Sequence, residues 1–306
     1  MKIAILTESR ADWGGLAPVY REFVRRQKDV DVDYYDVREI NLWDAERKGY
    51  TLNTEYALNE DTDFLVFLGD RPGVLRFVLD VAETRRHISL VHLSGGDFQE
   101  GRHVDEAVRD SLSRFADVHF PCTQRSADRL FEKAFSREVH IVGSTMVDDL
   151  RDFQPRKIPL FAGRPLGILN PCDDYGEIKN EIESKFPGVA WVEPNQDAGF
   201  EHIEFCPVVK SMTREVFFSA LWSCSSFVGN SSALFLEAQY IGTPCYHYGE
   251  RNRGREEAFP GHVNSGIDAR TKGRLRENWR DGAHGDGTAA RRILDVLETI
   301  YKEKSS

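Results

Sequence analysis

Short apolar runs alternate with longer amphipathic stretches along the whole chain, and this alternation limits the fold more than any other feature. A strand that is apolar at nearly every residue needs cover on both faces, and helices crossing between parallel strands supply it. In the first half KIAILT (2–7), VDVDYYDV (30–37), DFLVFLG (63–69), ISLVHLSG (88–95), DVHFPCT (117–123) and EVHIVG (138–143) read as strands, with helices predicted at 17–28, 74–84, 105–114 and 125–134. The pattern resumes with strands LGILN (166–170), VAWVEP (189–194), HIEFCP (202–207), SFVGN (226–230) and TPCYHYG (243–249), and helices at 175–185, 214–223, 233–240 and 288–303. Between the series, RDFQPRKIPLFAGRP (151–165) is rich in proline, has little periodicity and reads as a linker. The expectation is an α/β protein of two doubly wound domains facing across a cleft. The first is 1–150 and the second 166–306, with its last helix packing back on the first.

In such folds ligands meet the loops at the carboxyl ends of the strands. The loop after the first strand, TESRADWGGLAP, places Glu8, Ser9, Arg10 and Asp12 there, without the G-x-G-x-x-G of a dinucleotide site. No cofactor is expected. The third strand ends in Gly69-Asp70-Arg71-Pro72, with the proline suited to a first helical position. The fourth delivers HLSGGDFQEGRHVDEAVRDS, where Asp97, Glu100, Asp105, Glu106 and Arg109 gather. Carboxylates sharing a cleft can split into protonated and ionised members, so Asp70, Asp97, Asp105 and Arg109 form the candidate catalytic set.

In the second half, FVGNSSALFLEAQYIGTP puts Ser231 and Ser232 at a strand-to-helix turn, where hydroxyls and free N–H groups suit an anion. Either serine alone reads as a helix cap. With Glu237 placed to accept from ribose hydroxyls, and with the cluster Arg251, Arg253 and Arg255, whose forks suit a diphosphate, the pattern points to a nucleotide. His92, His103 and His119 lack a metal-ligand spacing, and no metal is expected. The five cysteines, Cys122, Cys172, Cys206, Cys224 and Cys245, are scattered without C-x-x-C and read as buried thiols. A net charge of −10 disfavours general affinity for nucleic acid or anionic lipid, leaving nucleic acid only as an acceptor. No apolar stretch approaches the roughly 20 residues of a membrane span, and the N-terminal run is too short for a signal peptide. The expected location is the cytoplasm.

Together these segments resemble the UDP-N-acetylglucosamine 2-epimerase family, in its hydrolysing, N-acetylmannosamine-forming branch. The resemblance rests on TESRAD with LAP, GDR (69–71), SGGD through DEAVR (94–109), ADVHF, VGSTMVDDL (143–150), PNQDAG (194–199), GNSS through GTP, GERNRGR (249–255) and HGDGTAARRILDVL. It implies two Rossmann-like domains in the GT-B arrangement, a UDP-sugar substrate, no redox cofactor and a homodimer. It places Arg10, Ser231, Ser232, Glu237 and Arg251 on the UDP moiety, and Asp70, Arg71 and Asp105 at positions of binding and proton transfer. Arg255 joins the binding set from its place in the arginine cluster.

The chain departs from the family in three places. Ser94 stands where some members carry a catalytic glutamate, which makes Asp97 the relevant acid. The second domain's first strand ends in Asn170-Pro171 instead of His-Pro, and an amide cannot shuttle protons near neutral pH as imidazole does. The chain is also shorter between Lys185 and Val192. The implied activity is removal of the C2 proton with departure of UDP, then hydration at C1. The alternative is a GT-B glycosyltransferase that keeps the UDP grip and passes the sugar to an acceptor; Asn170 is then a binding residue only.

Overall fold

The computed structural model describes residues 1–8, 10–26, 31–36, 58–100, 104–135, 138–194, 209–210, 212–265 and 282–305. Its contacts divide the chain into two units. One comprises Met1–Phe98, Arg102–Asp148 and Gly287–Ser306; the other comprises Gln99–Gly101 and Asp149–Asp286.

The first unit is built on a parallel sheet of β1 (Lys2–Thr7), β2 (Asp31–Asp36), β3 (Phe64–Leu68), β4 (Ser89–Leu93), β5 (Val118–Phe120) and β6 (Glu138–Val139). Their order is β2-β1-β3-β4-β5-β6. The order reverses between β1 and β3, and two loops therefore part in opposite directions there and leave a crevice at the strands' carboxyl ends. Alternate residues of the strands serve opposite faces. Ile3, Ile5, Val66 and Val91 pack with Leu16, Val19 and Phe23 of α1 (Arg10–Arg25) and Ile293, Leu294 and Leu297 of α9 (Ala289–Ser305). Ala4, Leu6, Leu65 and Leu90 pack instead with Val74, Val78 and Val81 of α2 (Pro72–Thr84) and Val108 and Leu112 of α3 (Val104–Phe115). The Asp148 carboxylate accepts from Ala289 N at 3.0 Å and Ala290 N at 2.8 Å, and so caps α9.

The second unit holds β7 (Pro165–Ile168), β8 (Ala190–Trp191), β9 (Ser226–Gly229) and β10 (Cys245–His247), all parallel, in the order β10-β9-β7-β8. Here the reversal falls between β7 and β9. Ile178 and Ile182 of α6 (Tyr175–Lys185) cover Leu169, Trp191 and Val228 on one face. Gly229 is required where β9 leaves the sheet: its φ is +130°, and a Cβ there would lie 1.9 Å from the Ile168 carbonyl oxygen.

The α/β fold of parallel sheets is the one the sequence implies, and α6 and α7 (Arg214–Ser223) have the predicted ends. Four elements differ. Helix α1 starts at Arg10 instead of 17, because the lone Pro18 forfeits one hydrogen bond without ending a helix whose apolar face is buried. A short helix α5 (Thr145–Arg151) lies where no element was predicted, and a 3₁₀ turn (Pro159–Phe161) lies in the expected linker. The helix predicted at 233–240 is split into a 3₁₀ turn (Ser232–Leu234) and α8 (Glu237–Ile241). The predicted strand 202–207 lies outside the described residues.

Replacing Gly229 with alanine should destabilise the protein by on the order of 3 kcal/mol, read as a lower urea midpoint. An unchanged midpoint would mean that β7 and β9 do not approach as described.

Candidate active site

At the carboxyl ends of β3 and β4 the first unit gathers acidic residues around one buried cation. The Arg109 side chain, on α3, is 4% exposed. Its Nη2 donates to Asp70 Oδ2; its Nη1 donates to Glu106 Oε1 at 2.5 Å and to the Asp97 carbonyl at 3.1 Å. Burial by itself would push the guanidinium pKa down, but Asp70, Asp97 and Glu106 outweigh burial and hold it above its ordinary value. Arg109 is therefore a permanent cation.

The loop carrying Asp97 is held from a second side. Arg129 Nη1, from α4 (Gln124–Glu132), donates to the Asp97 carbonyl at 3.1 Å, and its guanidinium lies 4.1 Å above the Phe98 ring. Gly96 has φ +77°, and a Cβ on it would come 2.1 Å from the Ser126 carbonyl oxygen. Asp97 Oδ1 accepts from Phe98 N at 3.0 Å. Asp105, half-buried in the first turn of α3, makes no ion pair among the described residues.

Asp70 and Arg71 part company at the end of β3. Arg71 Nε reaches Asp12 Oδ1 of α1 at 3.4 Å. Arg71 is also the N-cap of α2, with Pro72 in the expected first turn, but no side chain of the cap residue closes the helix. Glu8, 3% exposed, does so from the end of β1: its Oε2 accepts from Val74 N at 3.1 Å. A carboxylate thus occupies the positive end of α2, and Gly73 is small because a Cβ there would lie 2.6 Å from Glu8 Oε2.

In the second unit the β7 and β9 ends are joined by neutral amides. Asn230 Oδ1 accepts from Asn170 N at 2.6 Å and Asn170 Nδ2 at 3.1 Å, while Asn230 Nδ2 donates to the Asn170 carbonyl at 3.1 Å. Because a backbone N–H can only donate and a carbonyl only accept, the Asn230 amide has one orientation, and the Asn170 oxygen turns away from it. Asn252 Nδ2 donates to the Asn230 carbonyl at 2.6 Å, and Gln99 Nε2 donates to Asn252 Oδ1 and to the Arg251 carbonyl, both at 3.1 Å.

Ser231 Oγ accepts from Ala233 N at 3.3 Å and caps the 3₁₀ turn; Ser232 is exposed. Glu237 opens α8, with Arg214 Nη1 3.8 Å from its Oε1, and Arg214 Nε is 3.1 Å from Asp149 Oδ2. The arginine cluster separates. Arg253 is exposed and pairs with Glu100 at 2.7 Å and Glu250 at 3.0 Å. Arg251 and Arg255 are half-buried, and the Arg251 charge opposes the rise that burial imposes on the Cys172 pKa. Arg10 is the first residue of α1, not part of a loop.

A sequence profile described as UDP-N-acetylglucosamine 2-epimerase matches residues 49–161. This span carries Asp70, Arg71, Asp97, Asp105 and Arg109. A hydrolysing UDP-N,N'-diacetylbacillosamine 2-epimerase of Legionella pneumophila is 27% identical over 282 residues, covering 81% of this chain and 74% of that protein. Over these spans the chain is similar to members of the UDP-N-acetylglucosamine 2-epimerase family. Its fold is also that of an S. aureus MnaA–UDP co-structure (TM-score 0.73, 15% identity, 98% of this chain and 97% of that one). A Methanocaldococcus jannaschii UDP-GlcNAc 2-epimerase in complex with UDP-GlcNAc and UDP gives a TM-score of 0.71 at 14% identity, covering 98% of this chain and 100% of that one.

Several residues that build the candidate site carry no signal in the sequence. Arg129, Gln99, Asn230 and Asn252 are ordinary polar residues until folding brings their partners together. The glycines at 73, 96 and 229 mark three of the close approaches.

Gly73→Ala should dislodge Glu8 from α2 and cost about 1–2 kcal/mol in thermal or chemical unfolding. Glu8→Gln, which keeps an oxygen for the Val74 N–H, should lose less than Glu8→Ala. Equal losses for the two Glu8 variants would show that the cap is not the carboxyl oxygen.

Proposed function

We infer that this protein is a hydrolysing UDP-sugar 2-epimerase, acting on UDP-N-acetylglucosamine or a close relative and releasing UDP and the free sugar inverted at C2. The observation that carries this reading is the similarity over four-fifths of the chain to a protein described as a hydrolysing 2-epimerase. The geometry supports it: both chain reversals, between β1 and β3 and between β7 and β9, carry the candidate residues at their carboxyl ends.

The reaction runs in two halves. A carboxylate takes the proton from C2 while the C1–O bond breaks, its electron pair leaving with UDP and a C1–C2 double bond forming. Water then adds its oxygen to C1, and a proton is returned to C2 on the opposite face. The balance is redox-neutral, and no external oxidant or reductant enters. The proton work falls to Asp70, Asp97 and Asp105. Arg109 cannot exchange a proton, and its part is to hold Asp70 and the Asp97 backbone in place. Arg71, beside Asp70, is a binding residue. Glu237 with Ser231 and Ser232 takes the nucleoside side of UDP, and Arg10, Arg251 and Arg255 take the diphosphate.

Asn170 contributes no proton. An imidazole at this place would add a group titrating near neutrality, whereas the amide donates to Asn230 and is fixed by it. The alternative reading, transfer of the sugar to an acceptor, draws on this one substitution.

Turnover of UDP-N-acetylglucosamine in deuterium oxide should place deuterium at C2 of the released sugar, seen by NMR or mass spectrometry. UDP release only on addition of an acceptor, without label, would overturn the epimerase in favour of transfer. Asn170→His should raise C2 exchange about tenfold or more; no increase would mean that the position does not limit the proton chemistry.

A further inference from the structure

We propose that His92 is a positioning residue for Asp70, acting through the carbonyl of Gly69. The inference rests on the reading above, in which Asp70 serves the reaction. His92 lies on β4 beside Phe67 of β3, fully buried, on the sheet face covered by α2 and α3. Its Nε2 is 3.0 Å from the Gly69 carbonyl oxygen and its Nδ1 is 3.0 Å from Ser113 Oγ of α3.

The partners leave the ring one tautomer. Gly69 O can only accept, so Nε2 carries the hydrogen; Nδ1 then offers a lone pair, and the Ser113 hydroxyl donates to it. The ring stacks on Phe67 with centroids 5.2 Å apart and planes 26° apart, which fixes its remaining rotation. Burial, with the charges of His119 and Arg109, pushes the His92 pKa down to about 3, and this neutral form persists at working pH.

Gly69, at φ +84°, is the turn residue between β3 and Asp70. Asp70 is thereby tethered at two levels: its carboxylate by Arg109 and the peptide before it by His92. The room for this second tether is built into the sequence. A Cβ on Gly95 would lie 3.1 Å from both His92 Nδ1 and Ser113 Oγ, pressing on the hydrogen bond between them. None of the three residues carries a charge toward the substrate, and their effect is confined to geometry.

The test is steady-state kinetics on UDP-N-acetylglucosamine, with circular dichroism and a thermal melt to confirm that each variant is folded. His92→Ala should lower kcat by on the order of 10–100-fold and leave KM within about twofold, the signature of a misplaced reacting group and not of lost binding. His92→Gln, which retains a donor of similar reach, should recover part of that loss. Ser113→Ala and Gly95→Ala, which keep the imidazole but remove or press on its bond to Ser113, should each lower kcat by a smaller factor in the same direction. If His92→Ala does not fold, these last three variants decide the matter. Folded variants with wild-type kcat, whatever their melting temperature, would overturn the proposal, as would a rise in KM at constant kcat. A wild-type protein without turnover would reject the functional reading itself.

Discussion

A positive charge buried beneath the carboxyl ends of β3 and β4 is the interaction on which the first unit's site depends. Leaving such a charge unpaired costs several kcal/mol, and removing one partner of a buried pair typically costs about 3–5 kcal/mol. Arg109 meets that demand with the side chains of Asp70 and Glu106 and the carbonyl of Asp97. The same bonds that keep the cation inside fix two candidate acids in space. Stability and the geometry of the candidate site are one requirement here, and the loop carrying Asp97 is closely built: two guanidinium groups converge on one carbonyl, and Gly96 passes where no side chain fits.

The second unit solves the equivalent problem with dipoles. Where β7 and β9 diverge, their ends are stitched by Asn170 and Asn230, continued through Asn252 to Gln99. Every orientation follows from a backbone group at one end, and the chain of amides therefore needs no ion to define it. The helix that follows β9 is interrupted for a related reason. The Gln239 side chain donates to the Leu234 carbonyl at 3.1 Å, a group the break leaves open, and accepts from Phe259 N of a later loop at 2.8 Å.

What could be read from the sequence was whatever depends on period and composition. The strands of both sheets, the ends of α6 and α7, and Pro72 at the start of α2 follow from local pattern. What could not be read depends on partners distant in the chain. Glu8 caps a helix that begins at Pro72, and His92 secures Gly69; neither has a local signature. The first turns of α1 were hidden because the residues after β1 read as a loop, although burial of Leu16, Val19 and Phe23 carries one helix from Arg10 through Pro18. The most informative overlooked signals were glycines. Those at 73, 95, 96 and 229 are small because a carboxylate, an imidazole or a carbonyl stands in the space a methyl group would take.

The uncharged relay from Gln99 to Asn170 has a consequence for how the two sheet ends respond to their surroundings. None of its members gains or loses a proton across the range in which proteins stay folded, and salt has no net charge in it to screen. Its contribution to the β7–β9 crevice is therefore constant with acidity and ionic strength. The β3–β4 end differs in kind, because there ion pairs to Arg109 hold the loops.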